Sequence, residues 1–163
     1  MKTLPDRFAN RFGLEFHHLG LAVSAPAEAT QLLAPLGYKR WLAFYDPLQR
    51  VNVGMWLHQA MPDIELIWPG EDLPSPIDNL LARRHASFYH LGFVTKNRAD
   101  SLDAMARDGV DIVEVSSPKP AVLFGGATVS FHEIPVFGLI ELIEVSTSIE
   151  ESNAEAVDTT ETT

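Results

Sequence analysis

The stretch Phe16–Val23, which reads FHHLGLAV, recurs at Phe88–Thr95 as FYHLGFVT, and the two copies share four of their eight residues. A second identical segment, IELI, stands at Ile64–Ile67 and again at Ile140–Ile143. Both halves therefore keep the same order, with a histidine-containing segment followed later by a glutamate-containing one. Self-similarity at a fixed long period indicates duplication of one structural unit. We interpret the chain as two copies of one module.

Each half also shows the same succession of predicted elements. A strand (15–23 and 87–95) precedes a helix (26–36 and 98–108) whose end is marked by a glycine. Three short strands follow each helix, at 38–46, 50–58 and 62–68 in the first half, and near 111–116, 126–133 and 138–145 in the second. This pattern predicts an α+β fold in which two βαβββ modules form one curved mixed sheet.

The boundaries of the predicted units follow from the same pattern. The first module spans residues 15–69 and the second spans residues 87–145. Residues 70–86, with a short helix at 76–84, are predicted to link the modules. Residues 146–163 hold acids but no basic residue, and we predict a disordered tail there because such a segment cannot bury enough apolar surface.

Composition limits the classes of function. The chain has 163 residues, of which 46% are hydrophobic, and a formal net charge of −10. An acidic chain disfavours nucleic acid as a partner, because phosphate binding needs a basic face. The absence of cysteine leaves only His, Asp and Glu as strong metal ligands. No apolar run has the length of a membrane span, and we expect a cytoplasmic protein without membrane contact.

The alternation of side chains along a strand separates the two faces of the repeated segment. His18 and His90 share their face with small residues, which leave room for a cavity. The large apolar side chains lie on the other face, where they are expected to pack on the helix of the module. The same alternation predicts that His17 and Tyr89 also face the helix side.

Two glutamates occur at equivalent positions of the repeat, each inside an apolar strand. An isolated buried carboxylate is costly unless it is paired or bound to a cation. A pseudo-twofold axis between the modules would bring equivalent residues together, so we predict one metal site formed by His18, Glu65, His90 and Glu141. Imidazole and carboxylate ligands suit Fe, Mn, Co, Ni or Zn, with open positions for a substrate.

Other residues are weaker candidates, and the sequence leaves two interpretations open for each. His132 is interpreted as a surface strand position or as part of a proton relay. Arg83–His85 forms either an anion contact or a solvated helix end. A group of large apolar residues forms either a substrate pocket or part of a core or dimer interface: Trp41, Phe44, Tyr45, Met55 and Trp56.

The chain resembles the vicinal oxygen chelate (glyoxalase-like) superfamily, and within it the methylmalonyl-CoA epimerases. The motifs are His18-Leu19-Gly20 in the first strand, Ser75-Pro76-Ile77 before a short helix, and Gly138-Leu139-Ile140-Glu141-Leu142 in the last strand. The resemblance covers about residues 15–145. It implies the same four metal ligands, an open cup of βαβββ modules, a homodimer, and a small-molecule substrate such as a CoA thioester.

The resemblance also implies an activity, namely removal of a proton next to a carbonyl by a divalent-metal-dependent isomerase or lyase. Epimerases place a catalytic glutamate in the strand before the second ligand, but Arg50–Trp56 contains no acid. The base would then be one of the ligand glutamates, Glu65 or Glu141. Two alternatives on the same fold are an Fe(II) dioxygenase, which needs only two histidines and one carboxylate, and a non-catalytic small-molecule binding or resistance protein.

Overall fold

The computed structural model describes residues 10–71 and 74–145. In chain order, the first half contains β1 (Glu15–Val23), α1 (Pro26–Leu33), β2 (Lys39–Asp46), β3 (Val51–Leu57) and β4 (Asp63–Pro69), followed by the short helix α2 (Asp78–Leu81). The second half contains β5 (Ala86–Thr95), α3 (Arg98–Arg107), β6 (Val113–Pro120), a 3₁₀ turn at Val122–Phe124, β7 (Thr128–Ile134) and β8 (Gly138–Glu144).

The eight strands form one continuous mixed sheet in the order β2-β3-β4-β1-β5-β8-β7-β6. The two central strands, β1 and β5, run antiparallel, and each has a parallel neighbour on its outer side, β4 for β1 and β8 for β5. The predicted α+β fold with a curved mixed sheet is confirmed. This order places the histidine strands side by side at the centre, flanked by the glutamate strands.

Most predicted elements lie within a few residues of their observed bounds, and the differences have local causes. The helix predicted at 76–84 covers only four residues, Asp78–Leu81. Strand β6 was predicted to end near residue 116 but continues to Pro120, because Lys119 and Pro120 still pair with β7. The predicted tail at 146–163 lies outside the described residues. No helix in the described part of the chain is long and apolar enough to cross a membrane.

The sheet separates the core into a helix side and a concave side. On the helix side, Val23 and Leu66 pack with Leu33 of α1, and Leu142 packs with Met105 of α3. Ala22, which neighbours Val23 in β1, belongs to a different cluster on the concave side. The alternation predicted for β1 therefore holds at its end, and the concave face is left for the repeated histidines and glutamates.

His132 is buried, with only 2% of its surface exposed, so its interpretation as a surface strand position is wrong. It pairs with Ile140, a member of the helix-side core, and its Nε2 lies 2.9 Å from Ser130 Oγ. Its neighbour Phe131 is the residue that pairs with Glu141. His132 therefore lies across the sheet from the four predicted ligands, which excludes direct relay of a proton to that site.

Burial also makes His132 a source of pH-dependent stability. Burial lowers its pKa below the ordinary value of 6.5, although Glu114 acts in the opposite direction. Because the unfolded chain binds the proton more readily, the stabilising contribution is complete above pH 6.5 and is lost as pH falls below it. We expect His132→Gln to lose less stability than the wild type between pH 7 and pH 5 in urea unfolding. An unchanged slope would contradict this account, and His85→Gln, at an exposed position, is the matched control.

Candidate metal centre

Four side chains from four strands converge on the concave face of the sheet. The Nε2 atoms of His18 and His90 lie 3.0 Å apart. Glu65 Oε2 lies 3.4 Å from His18 Nε2 and 3.2 Å from His90 Nε2, and Glu141 Oε2 lies 3.4 Å and 3.8 Å from the same two atoms. All four residues are buried, with exposures of 0–4%. The structure brings together the predicted set within a single chain.

Glycines in the central strands create the space for the histidine rings. Gly92 pairs with His18 across the β1–β5 ladder, and Gly20 pairs with His90. A Cβ atom built on either glycine would overlap the imidazole that lies above it. The histidine-x-glycine pattern of each copy therefore has a steric origin, because each module supplies one ring and the floor beneath the other ring.

The glutamates reach the same point through the parallel ladders. Glu65 is the partner of Gly20 in β4, and Glu141 is the partner of Gly92 in β8. Phe124 stacks against the ring of His18, and Phe131 packs edge-on to the ring of His90. The four donors are thus fixed by strand register and by aromatic packing rather than by mobile loops.

The electrostatics of the centre fit a bound cation. Burial raises the pKa of Glu65, but hydrogen bonds from His18 and His90 outweigh burial and lower this pKa to about 2. Burial and the charge of Glu65 raise the pKa of Glu141 well above its ordinary value, and Glu141 Oε2 has no hydrogen-bond partner. Two imidazole nitrogens and two carboxylates, one of them without a hydrogen-bond partner, are a donor set that a divalent ion would satisfy.

Two β-bulges overturn the prediction that His17 and Tyr89 face the helix side. The β1–β5 register shifts between Phe16 and His18, and again at Tyr89, which is left unpaired because His90 pairs with Gly20 while Phe88 pairs with Leu21. An extra residue in a strand interrupts the alternation of faces. His17 Nδ1 consequently lies 2.9 Å from His18 Nδ1, and Tyr89 lines the cavity beside His90.

The contact between His17 and His18 predicts an effect on metal affinity. If His18 binds an ion through Nε2, its Nδ1 carries the proton and donates it to His17, and such partners typically contribute 10- to 100-fold to affinity. We expect His17→Phe to weaken Co(II) binding, measured by titration of visible absorbance, by about that factor. Tyr89→Phe is the matched control at the other bulge, because His90 Nδ1 has no partner to lose. Equal affinities for both variants would contradict the assignment.

A cavity of about 210 Å³ opens over the centre, and both Glu65 and His90 line it. Its walls are mostly apolar and include Val51, Val53 and Ile67. The large apolar residues that were predicted to form either a substrate pocket or a packing interface do not line this cavity. Arg83–His85 does not line it either, and is exposed. Arg50 and Lys119 do line the cavity, and no repeat or motif in the sequence marks either residue.

The fold and the centre define a class of protein. The sequence profile of the glyoxalase/bleomycin resistance protein/dioxygenase superfamily matches residues 17–131. The chain therefore belongs to this superfamily, and the resemblance stated from the repeated motifs is confirmed. A comparison with curated protein sequences finds no match.

Solved structures with the same fold include methylmalonyl-CoA epimerases. The enzyme from Mycobacterium tuberculosis superimposes with a TM-score of 0.67 at 18% identity, over 83% of this chain and 91% of that chain. A hypothetical protein from Bacillus halodurans C-125 gives 0.67 at 23%, over 82% and 95% of the two chains. A variant of the Streptomyces coelicolor epimerase in complex with 2-nitronate-propionyl-CoA gives 0.62 at 19%, over 82% and 95%.

Proposed function

We propose that the protein is a divalent-metal-dependent isomerase or lyase that removes a proton next to the carbonyl of an acyl-CoA or another thioester. The convergence of two histidines and two glutamates beneath a cavity is the observation that carries this proposal. The similarity of the fold to methylmalonyl-CoA epimerases supports the choice of thioester substrates.

His18, Glu65, His90 and Glu141 would hold the ion, which we propose to be Co, Ni, Mn, Zn or Fe. A divalent ion held by these residues would supply Lewis-acid stabilisation of the negative charge that develops on the carbonyl oxygen. A fourth protein ligand disfavours the dioxygenase alternative, because that chemistry needs open positions. Retention of the complete donor set in turn disfavours a non-catalytic binding protein.

Glu65 is the better candidate for the base. Among the residues that the structure describes, it is the single carboxylate that lines the cavity, whereas Glu141 is 1% exposed and is not part of the lining. Glu141 has the higher proton affinity, but contact with the substrate is the first requirement of a base. As a ligand of the ion, Glu65 would act as the base by loosening from it. We propose Glu65 as the base. Glu141 is proposed as a metal ligand that could exchange a proton on the opposite face of the substrate.

The direct test is exchange of the α-proton for deuterium. Metal-loaded protein is incubated with propionyl-CoA in D₂O, and the mass of the acyl group is followed against metal-free protein. We expect exchange that depends on the metal. Stoichiometric binding of the thioester without exchange would indicate a binding protein and not an enzyme. Consumption of O₂ in the presence of Fe(II) would favour the dioxygenase.

We also propose a homodimer, as the resemblance implies. Trp41 on the edge strand β2 and Phe88 on β5 are 60% and 68% exposed, and aromatic side chains of this kind are enriched at protein interfaces. Light scattering during size exclusion measures the mass directly. A species near 36 kDa is expected, twice the chain mass of 18.0 kDa, whereas a monomer at micromolar concentration would contradict the proposal.

A further inference from the structure

We propose that Arg50 and Lys119 form an anion subsite at the mouth of the cavity, which holds a carboxylate or phosphate group of the substrate. The inference rests on the proposed function, since it assigns a charge to the substrate of the same site. Both residues are exposed, both line the cavity, and they are the only arginine and lysine of its described lining. Neither side chain makes an ion pair or hydrogen bond with the described residues.

The backbone of Arg50 is held in place by a hydrogen-bonded turn between β2 and β3. The buried Asp46 accepts hydrogen bonds from the backbone N–H groups of Leu48 and Gln49, at 2.9 Å and 3.1 Å, and its carbonyl accepts one from Arg50 N at 2.7 Å. Arg50 has φ 57°, the one positive φ at a non-glycine residue of the described chain. A left-handed conformation of a non-glycine residue is strained and persists only where its surroundings impose it.

Lys119 reaches the cavity from the other half of the sheet. The β6–β7 register shifts between Ser116 and Lys119, where Ser116 pairs with Phe131 and Lys119 pairs with Val129. All four of these residues line the cavity. Because of this irregularity, Lys119 lies on the concave face, opposite Val129 of β7. One cation comes from each half of the sheet.

The charge balance of the site favours an anion at this position. The two carboxylates of the centre offset the charge of a divalent ion, so the centre itself adds little net charge. The chain as a whole carries −10, which makes two unpaired cations on one cavity a local exception. A carbonyl group at the centre and an anionic group between the cations would span the cavity from floor to mouth.

The test compares acyl-CoA ligands that differ in charge but little in size, on metal-loaded protein by calorimetry. Succinyl-CoA carries an acyl carboxylate that butyryl-CoA lacks. We expect the double variant Arg50→Met/Lys119→Met to lose about tenfold or more in affinity while it binds metal as the wild type does. Loss for succinyl-CoA alone identifies the carboxylate, and equal loss for both ligands and for free CoA identifies the phosphates. Arg40→Met/Arg107→Met, at two exposed positions away from the cavity, is the charge-matched control.

Affinities within twofold of wild type for all three ligands would overturn the subsite. If the wild type binds metal but no CoA compound, the thioester part of the proposed function is wrong, and inorganic phosphate then tests the subsite alone. In that case shifts of the Arg50 and Lys119 amide signals, followed by NMR on metal-free protein and absent in the double variant, would support it. Unshifted amides in the wild type would overturn it.

Discussion

Replacing Glu65 by glutamine is expected to lower α-proton exchange by about 10²- to 10⁴-fold, the usual contribution of a positioned general base. Glu65 lines the cavity, and the β3 residues that also line it, Val51 and Val53, offer no alternative carboxylate. The amide retains an oxygen that can face the ion but cannot take a proton. Exchange is measured at saturating metal, so that a weaker site does not mimic a lost base.

Glu141→Gln is the matched variant at the equivalent position of the other module. We expect it to weaken metal binding and to recover most of the exchange rate when metal is in excess. The opposite pattern, with Glu141→Gln inactive at saturating metal and Glu65→Gln active, would transfer the role of base to Glu141. Full activity of both variants would exclude a ligand glutamate as the base.

Replacing Gly92 by alanine is expected to reduce metal affinity by at least 100-fold. The new Cβ atom would overlap three atoms of the His18 ring, so the imidazole must leave its position above the strand. Overpacking of this kind costs about 1–3 kcal/mol in stability, while loss of a ligand removes much of the binding free energy. Gly20→Ala should displace His90 in the same way, and calorimetric titration with Zn(II) or Co(II) measures both.

A strand glycine away from the centre separates the loss of stability through overpacking from the loss of a metal ligand. The Cβ atom of Gly54→Ala would lie 3.3 Å from the Cβ of Ala43 and from the carbonyl oxygen of Leu42. This variant is expected to lose stability in thermal unfolding but to bind metal as the wild type does. Wild-type metal affinity in Gly92→Ala would show that His18 is not a ligand at its present position.

The fold and the convergence of four side chains were predictable because the duplication places the same residue types at equivalent positions of both halves. One histidine in one strand has many explanations, but His18 and His90 stand at equivalent positions, as do Glu65 and Glu141. Antiparallel pairing of β1 with β5 then brings equivalent residues together. The resemblance to a known superfamily led independently to the same four residues.

The surroundings of the centre were not predictable, for two physical reasons. Period-two alternation assumes a regular strand, and the bulges at His17 and Tyr89 break that assumption without a glycine or proline to mark them. The mouth of the cavity depends on chain segments that are distant in sequence, so Arg50 and Lys119 could be placed there only by the three-dimensional fold. The burial of His132 likewise follows from its place on the helix side of the sheet, where its pair partner Ile140 lies in the core with Met105 of α3, and strand parity alone does not reveal it.

Elemental analysis of the untagged protein tests the central claim most directly. The wild type is purified and reconstituted with Co, Ni, Mn, Zn or Fe beside His90→Ala, with His85→Ala as an exposed control. About one divalent ion per chain is expected in the wild type and in His85→Ala, and none in His90→Ala. Absence of bound metal from the wild type under every reconstitution would contradict the metal centre and leave a binding protein on the same fold.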